Sequence, residues 1–402
     1  MSAVSTRNRR KSLRGKKSGK FLGVQKSTSS GKSSCLEEQD YFHGILPRDE
    51  ITLLLQQDGD FLVRESVKGG ETNLVLSVHW SQPRHFILQM DEKGQFRFEG
   101  PSFQSVPELI EYYLRKGQPL TESSGCVIKR PVHQQRWELK TSDIHLDKQL
   151  GKGNFGEVYR AFYRQDGKLV EVAVKTCHLT STEEDRKKFL REARLMRNYI
   201  HPNIVRIIGV AAQRDPIMIV MELMPGGALS TYLRSNKGRI SSAEKLKFSC
   251  DAASGMAYLE AEKCIHRDLA ARNCLLSAKN VLKIGDFGMS REAAIYKTEG
   301  PKQIPIKWTA PEALTIGTFS NKSDVWSFGV LLWEIYSEGV NPYPEFKNQE
   351  ILDKIQGGYR MEPPPGMPPE VAKLMTSCWL TEPLDRPTFK DLKRDLLRVK
   401  KK

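Results

Sequence analysis

Two short stretches near the middle of this 402-residue chain constrain its fold most. HRDLAARN runs from His266 to Asn273, and DFG begins thirteen residues later at Asp286. They supply two carboxylates, Asp268 and Asp286, and one carboxamide, Asn273. Hard oxygen donors of this kind suit Mg²⁺ better than a soft metal, and a nearby carboxylate can accept a proton. The two stretches therefore predict one site that combines a metal with a base.

A glycine-rich turn lies upstream, in the pattern G-x-G-x-x-G-x-V from Gly151 to Val158. Such a turn also occurs in dinucleotide-binding folds, but there it leads directly into a helix. Here the strand EVYRAFYR, a Gln-Asp-Gly-Lys turn and the strand VEVAVK follow. This strand–loop–strand order favours a loop whose backbone N–H groups close over phosphates.

A lysine and a glutamate follow the glycine-rich turn. Lys175 lies on the second of these strands, and Glu192 comes seventeen residues later in the segment KKFLREARLM. We expect its helix to begin at a capping box formed by Ser181 and Glu184. A lone strand lysine is usually exposed and a lone helix glutamate is usually solvated. In this set, however, the lysine is expected to hold phosphates and the glutamate to hold the lysine.

These motifs, closed by Ala310-Pro-Glu312, resemble a protein kinase domain. The resemblance implies a two-lobed fold over residues 144–399 that uses ATP with Mg²⁺, or with Mn²⁺ as the alternative ion. Asp268 would orient the substrate hydroxyl and accept its proton, with Asn273 and Asp286 as metal ligands. The implied nucleotide-binding residues are Gly151, Lys152, Gly153, Asn154, Phe155, Gly156, Val158, Ala173, Lys175, Met221, Glu222, Met224 and Leu275.

Two features of the kinase-like region are typical of tyrosine kinases. Ala270 stands where serine/threonine kinases usually have lysine, and the segment IPIKWTAPEA (304–313), called the shelf below, carries Trp308. The resemblance assigns Arg272 to placing the phenol. It also implies a pairing of Arg386 with Glu312 and a brace from Asp324 to the catalytic loop.

Tyr296 lies between the DFG and APE motifs. It is either an ordinary exposed loop tyrosine or an autophosphorylation switch. A phosphate there could pair with Arg267 or Arg291 and order the loop.

A second region, before the kinase-like part, contains the stretch FLVRES, in which Arg64 follows three apolar strand residues. An arginine in a strand core requires an anion, since stripping the charge of water costs several kcal/mol. The surrounding order is a helix, strands and a second helix between Ser105 and Gly117. With YFHGILPRDE and RHFILQM, it resembles an SH2 (Src homology 2) domain. The alternative is an internal ion pair of Arg64.

The SH2 resemblance implies a pocket for phosphotyrosine, whose dianion a guanidinium binds through two hydrogen bonds. The residues assigned to this pocket are Arg48, Arg64, Ser66 and His85. The sequence departs from the family at Tyr41, where tryptophan is usual, and at Ile87, where some members have a lysine over the phosphotyrosine ring.

Charge is concentrated at the start of the chain. The net charge is +15, and residues 1–36 carry ten Lys or Arg and no acid, which leaves +5 for the rest. We expect a disordered tail, because this stretch has few large apolar residues. An anionic-membrane contact and a nuclear-import signal are the alternatives. The seven scattered cysteines indicate a reducing compartment, and no run is long enough for a transmembrane helix.

The predicted fold class is α+β, an SH2 domain followed by a bilobal kinase domain. The predicted boundaries are a tail over 1–40, an SH2 domain over 41–130, a linker over 131–143 and a kinase domain over 144–399. This order, with GDFLVRES, GKGNFGEVY and SDVWSFGVLLWE, resembles the Fes/Fer group of non-receptor tyrosine kinases, without the membrane-bending region of its long members.

The resemblance to this group implies a cytoplasmic enzyme, acting also at the inner plasma membrane or in the nucleus if the tail directs it there. Its partners would be phosphotyrosine proteins and tyrosine substrates. Two rival functions are a scaffold with a catalytically inactive kinase domain and a nucleic-acid-binding protein that uses the tail. Specific nucleic-acid binding is not expected.

Overall fold

A computed structural model describes residues 35–46, 48–68, 71–152, 156–178, 181–298 and 304–401. Most of the predicted tail (1–34) and the tip of the glycine-rich turn (153–155) lie outside the described residues. Residues 35–40, which the prediction assigned to the tail, include a short 3-10 helix, Leu36–Glu38. Leu36 packs against the core of the first module, which explains why this part of the chain is ordered.

The first module is a five-stranded sheet between two helices. Its strands run in the order β1-β2-β3-β4, with β7 paired to β2. The elements are β1 (Phe42–Ile45), α1 (Arg48–Leu54), β2 (Asp60–Lys68), β3 (Glu71–Trp80), β4 (Gln82–Ile87), β5 (Gln89–Met90), β6 (Phe96–Arg97), α2 (Val106–Lys116) and β7 (Arg130–Pro131).

Alternation along β2 sends its side chains to two different cores. Phe61 and Val63 pack in the cluster that contains α2, whereas Leu62 packs in the cluster beneath α1. Because side chains alternate along a strand, Arg64 lies on the same face as Leu62. α2 begins where the Ser105 side chain accepts a hydrogen bond from the Glu108 N–H, as the sequence predicts.

The second module has two lobes. The upper lobe is a five-stranded sheet in the order β11-β12-β10-β9-β8 with one helix, and the lower lobe is mostly helical. The upper-lobe elements are β8 (Ile144–Lys152), β9 (Glu157–Gln165), β10 (Lys168–Thr176), α3 (Glu183–Arg197), β11 (Ile207–Ala211) and β12 (Met218–Glu222). The lower-lobe elements are β13 (Gly227–Ala228), α4 (Leu229–Ser235), α5 (Ser242–Ala261), β14 (Cys264–Ile265), β15 (Cys274–Leu276), β16 (Leu282–Ile284), β17 (Arg291–Glu292), β18 (Ile295–Lys297), α6 (Pro311–Ile316), β19 (Thr318–Ser320), α7 (Asn321–Tyr336), α8 (Asn348–Gln356), α9 (Pro369–Ser377) and α10 (Phe389–Lys401).

Two helices of the second module test predictions from the sequence. α7 carries the apolar run VWSFGVLLWEIY, which is too short for a transmembrane helix, and is buried from Ser323 to Tyr336. The predicted start of α3 is wrong by one residue, because the capping box is formed by Thr182 and Asp185. The Thr182 hydroxyl accepts from the Asp185 N–H, and the Asp185 carboxylate accepts from the Thr182 N–H. No helix in the described ranges is long and apolar enough to span a membrane.

The two modules meet along a seam formed by residues 43–45, 132–139 and 210–213. The Ile45 N–H donates to the Ala212 carbonyl at 2.7 Å, and the Leu139 N–H donates to the Val210 carbonyl at 2.7 Å. Gly44 has φ +62°, and a Cβ there would lie 2.2 Å from the Ala212 oxygen. Only glycine fits this close approach without moving the backbone.

A buried histidine lies in the seam. His43 Nδ1 is 2.8 Å from Glu138 Oε2, and its Nε2 is 3.0 Å from the Val132 carbonyl oxygen. Burial alone would lower the pKa of His43, but the Glu138 carboxylate and the Val132 carbonyl outweigh burial and raise it. Both ring nitrogens face acceptors, so the protonated ring is the form that satisfies both contacts.

Candidate active site and arginine pocket

A cleft between the two lobes gathers most of the predicted nucleotide-binding residues. The predicted residues that line it are Gly151, Lys152, Val158, Ala173, Lys175, Met221, Glu222, Met224 and Leu275, together with Glu192, Arg272, Asn273 and Asp286. Gly153, Asn154 and Phe155 lie outside the described residues. Gly156 lies beside β10, where a Cβ would come within 1.9 Å of the Thr176 carbonyl oxygen. Sequence reasoning missed Leu150, Val205 and Leu223, apolar lining residues that no motif marks.

A buried ion pair closes the back of this cleft. Lys175 Nζ lies 2.7 Å from Glu192 Oε1 and 2.9 Å from Oε2, and 3.4 Å from Asp286 Oδ1. Burial alone would lower the pKa of Lys175, but the two carboxylates outweigh burial and raise it. The same attraction lowers the pKa of Asp286 despite its burial. A cation is thus held at the inner end of the cleft.

The Asp268 carboxylate of the catalytic loop is held by two residues that line the cleft, Arg272 and Asn273. The Asn273 amide nitrogen donates to the Asp268 carbonyl at 2.7 Å and to Asp268 Oδ2 at 2.8 Å. Arg272 donates to Asp268 Oδ1. Burial raises the pKa of Asp268, although Arg272 and Asn273 oppose the rise. A carboxylate of raised pKa is a better proton acceptor.

A second buried carboxylate holds the start of the catalytic loop. Asp324 accepts hydrogen bonds from the N–H groups of His266 at 2.7 Å and Arg267 at 2.9 Å, so the predicted brace is confirmed. Burial raises the pKa of Asp324 to about 7. Arg267 has φ +70° and Asp286 has φ +58°, a region that costs a non-glycine residue about 1–3 kcal/mol. The predicted Arg386–Glu312 pair also forms, with contacts of 2.7 and 2.9 Å.

Tyr296 packs between the two cations that the sequence singles out. The Arg267 guanidinium lies 4.7 Å from the centre of its ring, and that of Arg291 lies 5.1 Å from it. Within the described ranges, Nε and Nη2 of Arg267 are buried and make no hydrogen bond. Two donors next to the tyrosine therefore lack an acceptor in this state.

Arg64 is buried in the first module, where it is only 3% exposed. Its Nε donates to Ser77 Oγ at 3.2 Å, and its Nη1 donates to the Leu46 carbonyl at 3.4 Å. His85 Nδ1 lies 3.0 Å from the same Ser77 oxygen. The structure therefore brings Arg64 and His85 together through Ser77, a residue that sequence reasoning missed. A serine inside the apolar stretch NLVLSV was the available signal.

The other two predicted pocket residues are placed less fully. Ser66 lies half-buried on β2, two residues beyond Arg64 and opposite Asn73 of β3. Arg48 begins α1, and its side chain lies outside the described part. Ile87 is 57% exposed at the end of β4, next to the strand position of His85. An apolar side chain therefore faces solvent near the pocket.

The cleft fits a divalent cation bound together with phosphates rather than a metal held by protein alone. No group of three or more His, Cys, Asp or Glu that could hold a metal occurs in the part of the chain that the structure describes. Asp286 and Asn273 both line the cleft. Asn273 uses its amide nitrogen on Asp268, which leaves its oxygen to face a cation. Two hard oxygen donors are what Mg²⁺ takes when phosphates complete its shell.

The fold and both sites define a class of protein, and two family models match it. The model described as protein tyrosine and serine/threonine kinase matches residues 144–396, and the SH2 domain model matches residues 41–113. The chain therefore belongs to the protein kinase family and carries an SH2 domain ahead of its kinase domain. The predicted fold class is confirmed.

Relatives narrow the class further. Tyrosine-protein kinase Fer of Homo sapiens is 48% identical over 371 residues, which is 91% of this chain and 44% of that protein. The transforming protein Fps of avian sarcoma virus (strain PRCII) is 49% identical, over 91% of this chain and 68% of that protein. Fer-related kinase 1 of Caenorhabditis elegans is 44% identical, over 93% of this chain and 98% of that protein. The chain thus groups with the Fer and Fps tyrosine kinases, and it spans less than half the length of Fer.

Proposed function

We propose that this chain transfers the γ-phosphoryl group of ATP to tyrosine residues of proteins that it reaches through its SH2 domain. The closed Lys175–Glu192 pair, with Asp286 in the same cleft and Asp268 hydrogen-bonded to the cleft residue Asn273, is the observation that carries the proposal. A kinase with an inactive catalytic domain would have no need of this arrangement. Relatives named as tyrosine kinases support the same reaction.

Each catalytic side chain has a role that follows from its position. Lys175, fixed by Glu192, binds the α- and β-phosphates of the nucleotide. Asp286 and Asn273 would hold Mg²⁺, or Mn²⁺ in its place, and the ion neutralises phosphate charge when it is bound. Asp268 orients the incoming phenol and accepts its proton. Glu222, which lines the cleft, would offer its backbone to adenine. Its carboxylate is engaged elsewhere, because it pairs with Lys283 at 2.7 Å.

Tyrosine selectivity rests on the shelf. The Arg272 guanidinium lies 4.3 Å from the centre of the Trp308 ring, at one end of the catalytic loop. A phenol oxygen lies further from its backbone than a serine oxygen. A peptide held on the shelf would therefore bring the hydroxyl of a tyrosine, rather than that of a serine, to Asp268.

A partner protein would supply the phosphotyrosine that binds at Arg64 of the SH2 domain. A phosphotyrosine dianion can displace the weak contacts of Arg64 with Ser77 and the Leu46 carbonyl. Docking then raises the effective concentration of substrate around the kinase domain. The seam supports a second effect: Trp137 stacks against Arg197, the last residue of α3, at 4.9 Å. A docked SH2 domain would thereby favour the position of α3 that holds Glu192.

Phosphorylation of Tyr296 would order the activation segment. The phosphate would accept hydrogen bonds from Nε and Nη2 of Arg267, which are buried beside the tyrosine ring. For the tail, a cytoplasmic site of action with an anionic-membrane or nuclear-import contact remains our proposal, and it rests on the ten cations alone.

The catalytic assignment is tested with a poly-Glu/Tyr substrate and Mg·ATP. We expect Lys175→Met and Asp268→Asn to reduce phosphate transfer at least a hundredfold. Lys168→Met is the matched control, because Lys168 lies exposed on the same strand and should have no effect. Transfer that survives in both active-site variants would refute the assigned site.

The SH2 assignment is tested by binding of the full chain to immobilised tyrosine-phosphorylated peptides. Arg64→Leu should abolish capture, and Arg97→Leu, an exposed arginine of the same module, should preserve it. Equal capture by the two variants would refute the pocket. Retention of binding to unphosphorylated peptide would point to a different recognition mode.

A further inference from the structure

Glu334 of α7 is a buried carboxylate that closes the stretch SDVWSFGVLLWE and to which the sequence analysis assigns no role. It is 5% exposed and lies ten residues after Asp324 on the same helix. Its Oε2 accepts a hydrogen bond from the Ala271 N–H at 2.9 Å and another from Trp308 Nε1 at 2.9 Å. One oxygen thus joins the catalytic loop to the shelf.

The contacts of Glu334 complete a closed ring of contacts between the catalytic loop and the shelf. Asp268 binds Arg272, and the Arg272 guanidinium lies over the Trp308 ring. Trp308 and Ala271, the neighbour of Arg272, both donate to Glu334. A shift of the shelf relative to the catalytic base must therefore break at least one contact of the ring.

The second buried carboxylate of α7 provides a contrast. Asp324 accepts hydrogen bonds from two N–H groups at the start of the catalytic loop. It therefore fixes the loop itself, whereas Glu334 also reaches the segment on which a substrate peptide would lie. Burial raises the pKa of Glu334 to about 7, although Trp308, Ala271 and nearby Arg272 oppose the rise. The two hydrogen bonds that Glu334 accepts offset part of the cost of burying its carboxylate.

We propose that Glu334 is a positioning residue that sets the distance between the tyrosine-binding shelf and Asp268. The inference rests on the proposed kinase function and deepens it. Glu334 affects the binding of the tyrosyl peptide. Nucleotide is bound by Lys175, Asn273 and Asp286, and Glu334 contacts none of these in the described structure.

The choice of variants follows from the geometry. Both donors reach a single oxygen, so the amide oxygen of Glu334→Gln can accept both hydrogen bonds. Glu334→Leu can accept neither. Trp308→Phe removes one donor while it keeps an aromatic ring beneath Arg272. The three variants therefore separate the hydrogen bonds from the charge and from the ring.

The experiment measures KM and kcat of the full chain with a tyrosyl peptide, and the ATP hydrolysis rate without peptide. We expect Glu334→Leu to raise the peptide KM at least tenfold and Trp308→Phe about threefold or more. For Glu334→Leu, the KM for ATP and the hydrolysis rate should change less than twofold. Glu334→Gln should restore the peptide KM to within threefold of the wild-type value.

Several outcomes would overturn the inference. Glu334→Gln could prove as damaging as Glu334→Leu, or ATP hydrolysis could fall as far as peptide phosphorylation. Should Glu334→Leu fail to fold, an unchanged peptide KM in Trp308→Phe would be decisive against it. A wild-type chain that transfers no phosphate to the tyrosyl peptide would instead refute the proposed function, and an Asp268→Asn control shows that the measured transfer comes from the assigned site.

Discussion

Replacing Gly44 with alanine probes the seam between the SH2 and kinase domains. Gly44 has φ +62°, and the added Cβ would lie 2.2 Å from the Ala212 carbonyl oxygen of the kinase domain. Gly125→Ala is a matched control, since Gly125 has the same φ of +62° and no heavy atom within 4 Å of its Cβ position. Both variants incur the left-handed backbone cost of roughly 1–2 kcal/mol. Only Gly44→Ala also collides with the other domain.

The collision has a size that can be worked out. Relief requires the seam to open by about an ångström, since ordinary Cβ contacts start near 3.4 Å. The hydrogen bond from the Ile45 N–H to Ala212, now 2.7 Å long, is then lost. Such a bond contributes about 1 kcal/mol. The open state of the seam should therefore become about fivefold more populated than in Gly125→Ala, because 1.4 kcal/mol corresponds to tenfold.

Native-state amide hydrogen exchange measures this population directly. We expect the Ile45 amide to exchange about fivefold faster in Gly44→Ala than in Gly125→Ala. The Val63 amide, which donates to the Tyr41 carbonyl inside the SH2 domain, should exchange equally in both. Equal exchange of Ile45 in the two variants would refute a fixed seam. Faster exchange of Val63 would show that the SH2 domain itself had loosened.

Two further predictions concern stability. Because the pKa of His43 is raised in the folded chain, its stabilising contribution is complete below about pH 6.5, the pKa of an unfolded histidine, and is lost as pH rises through the higher folded pKa. Urea unfolding should therefore show a free energy of unfolding that falls over this pH range. His43→Gln should remove this pH dependence, and His133→Gln, at an exposed position, should leave it in place. Arg386→Leu should lower the free energy of unfolding by about 3 kcal/mol, because it strands the partly buried Glu312 carboxylate; a loss below about 1 kcal/mol in the same assay would contradict the importance of that pair.

The motif residues could be predicted because their patterns resemble those of protein kinases, and the resemblance implies which residues pair. Lys175 on a strand and Glu192 on the next helix were expected to pair, and the pair is closed. The Asp324 brace was likewise expected. These residues belong to short sequence patterns that, taken together, can be recognised in a single sequence.

Contacts between distant segments could not be predicted in the same way. The shared oxygen of Glu334 joins α7 to Ala271, sixty-three positions away in sequence. An acidic residue in an apolar helix gives no hint of which backbone N–H it will reach. Ser77 meets Arg64 only because the β2–β3 register places these strands side by side. The tight fit of Gly44 depends on the surface of another domain.

The path of the linker along the seam limits how the SH2 and kinase domains can be recombined in engineered proteins. Glu138 of the linker forms an isolated parallel β-bridge with Val210. The N–H of the next residue, Leu139, donates to the Val210 carbonyl. The connection is therefore a structural spacer of set length and not a flexible tether. Inserting residues into it would misalign two surfaces that fit each other. A chimaera with a foreign SH2 domain would keep interdomain communication only if residues 43–45 and the whole linker were transplanted as one cassette.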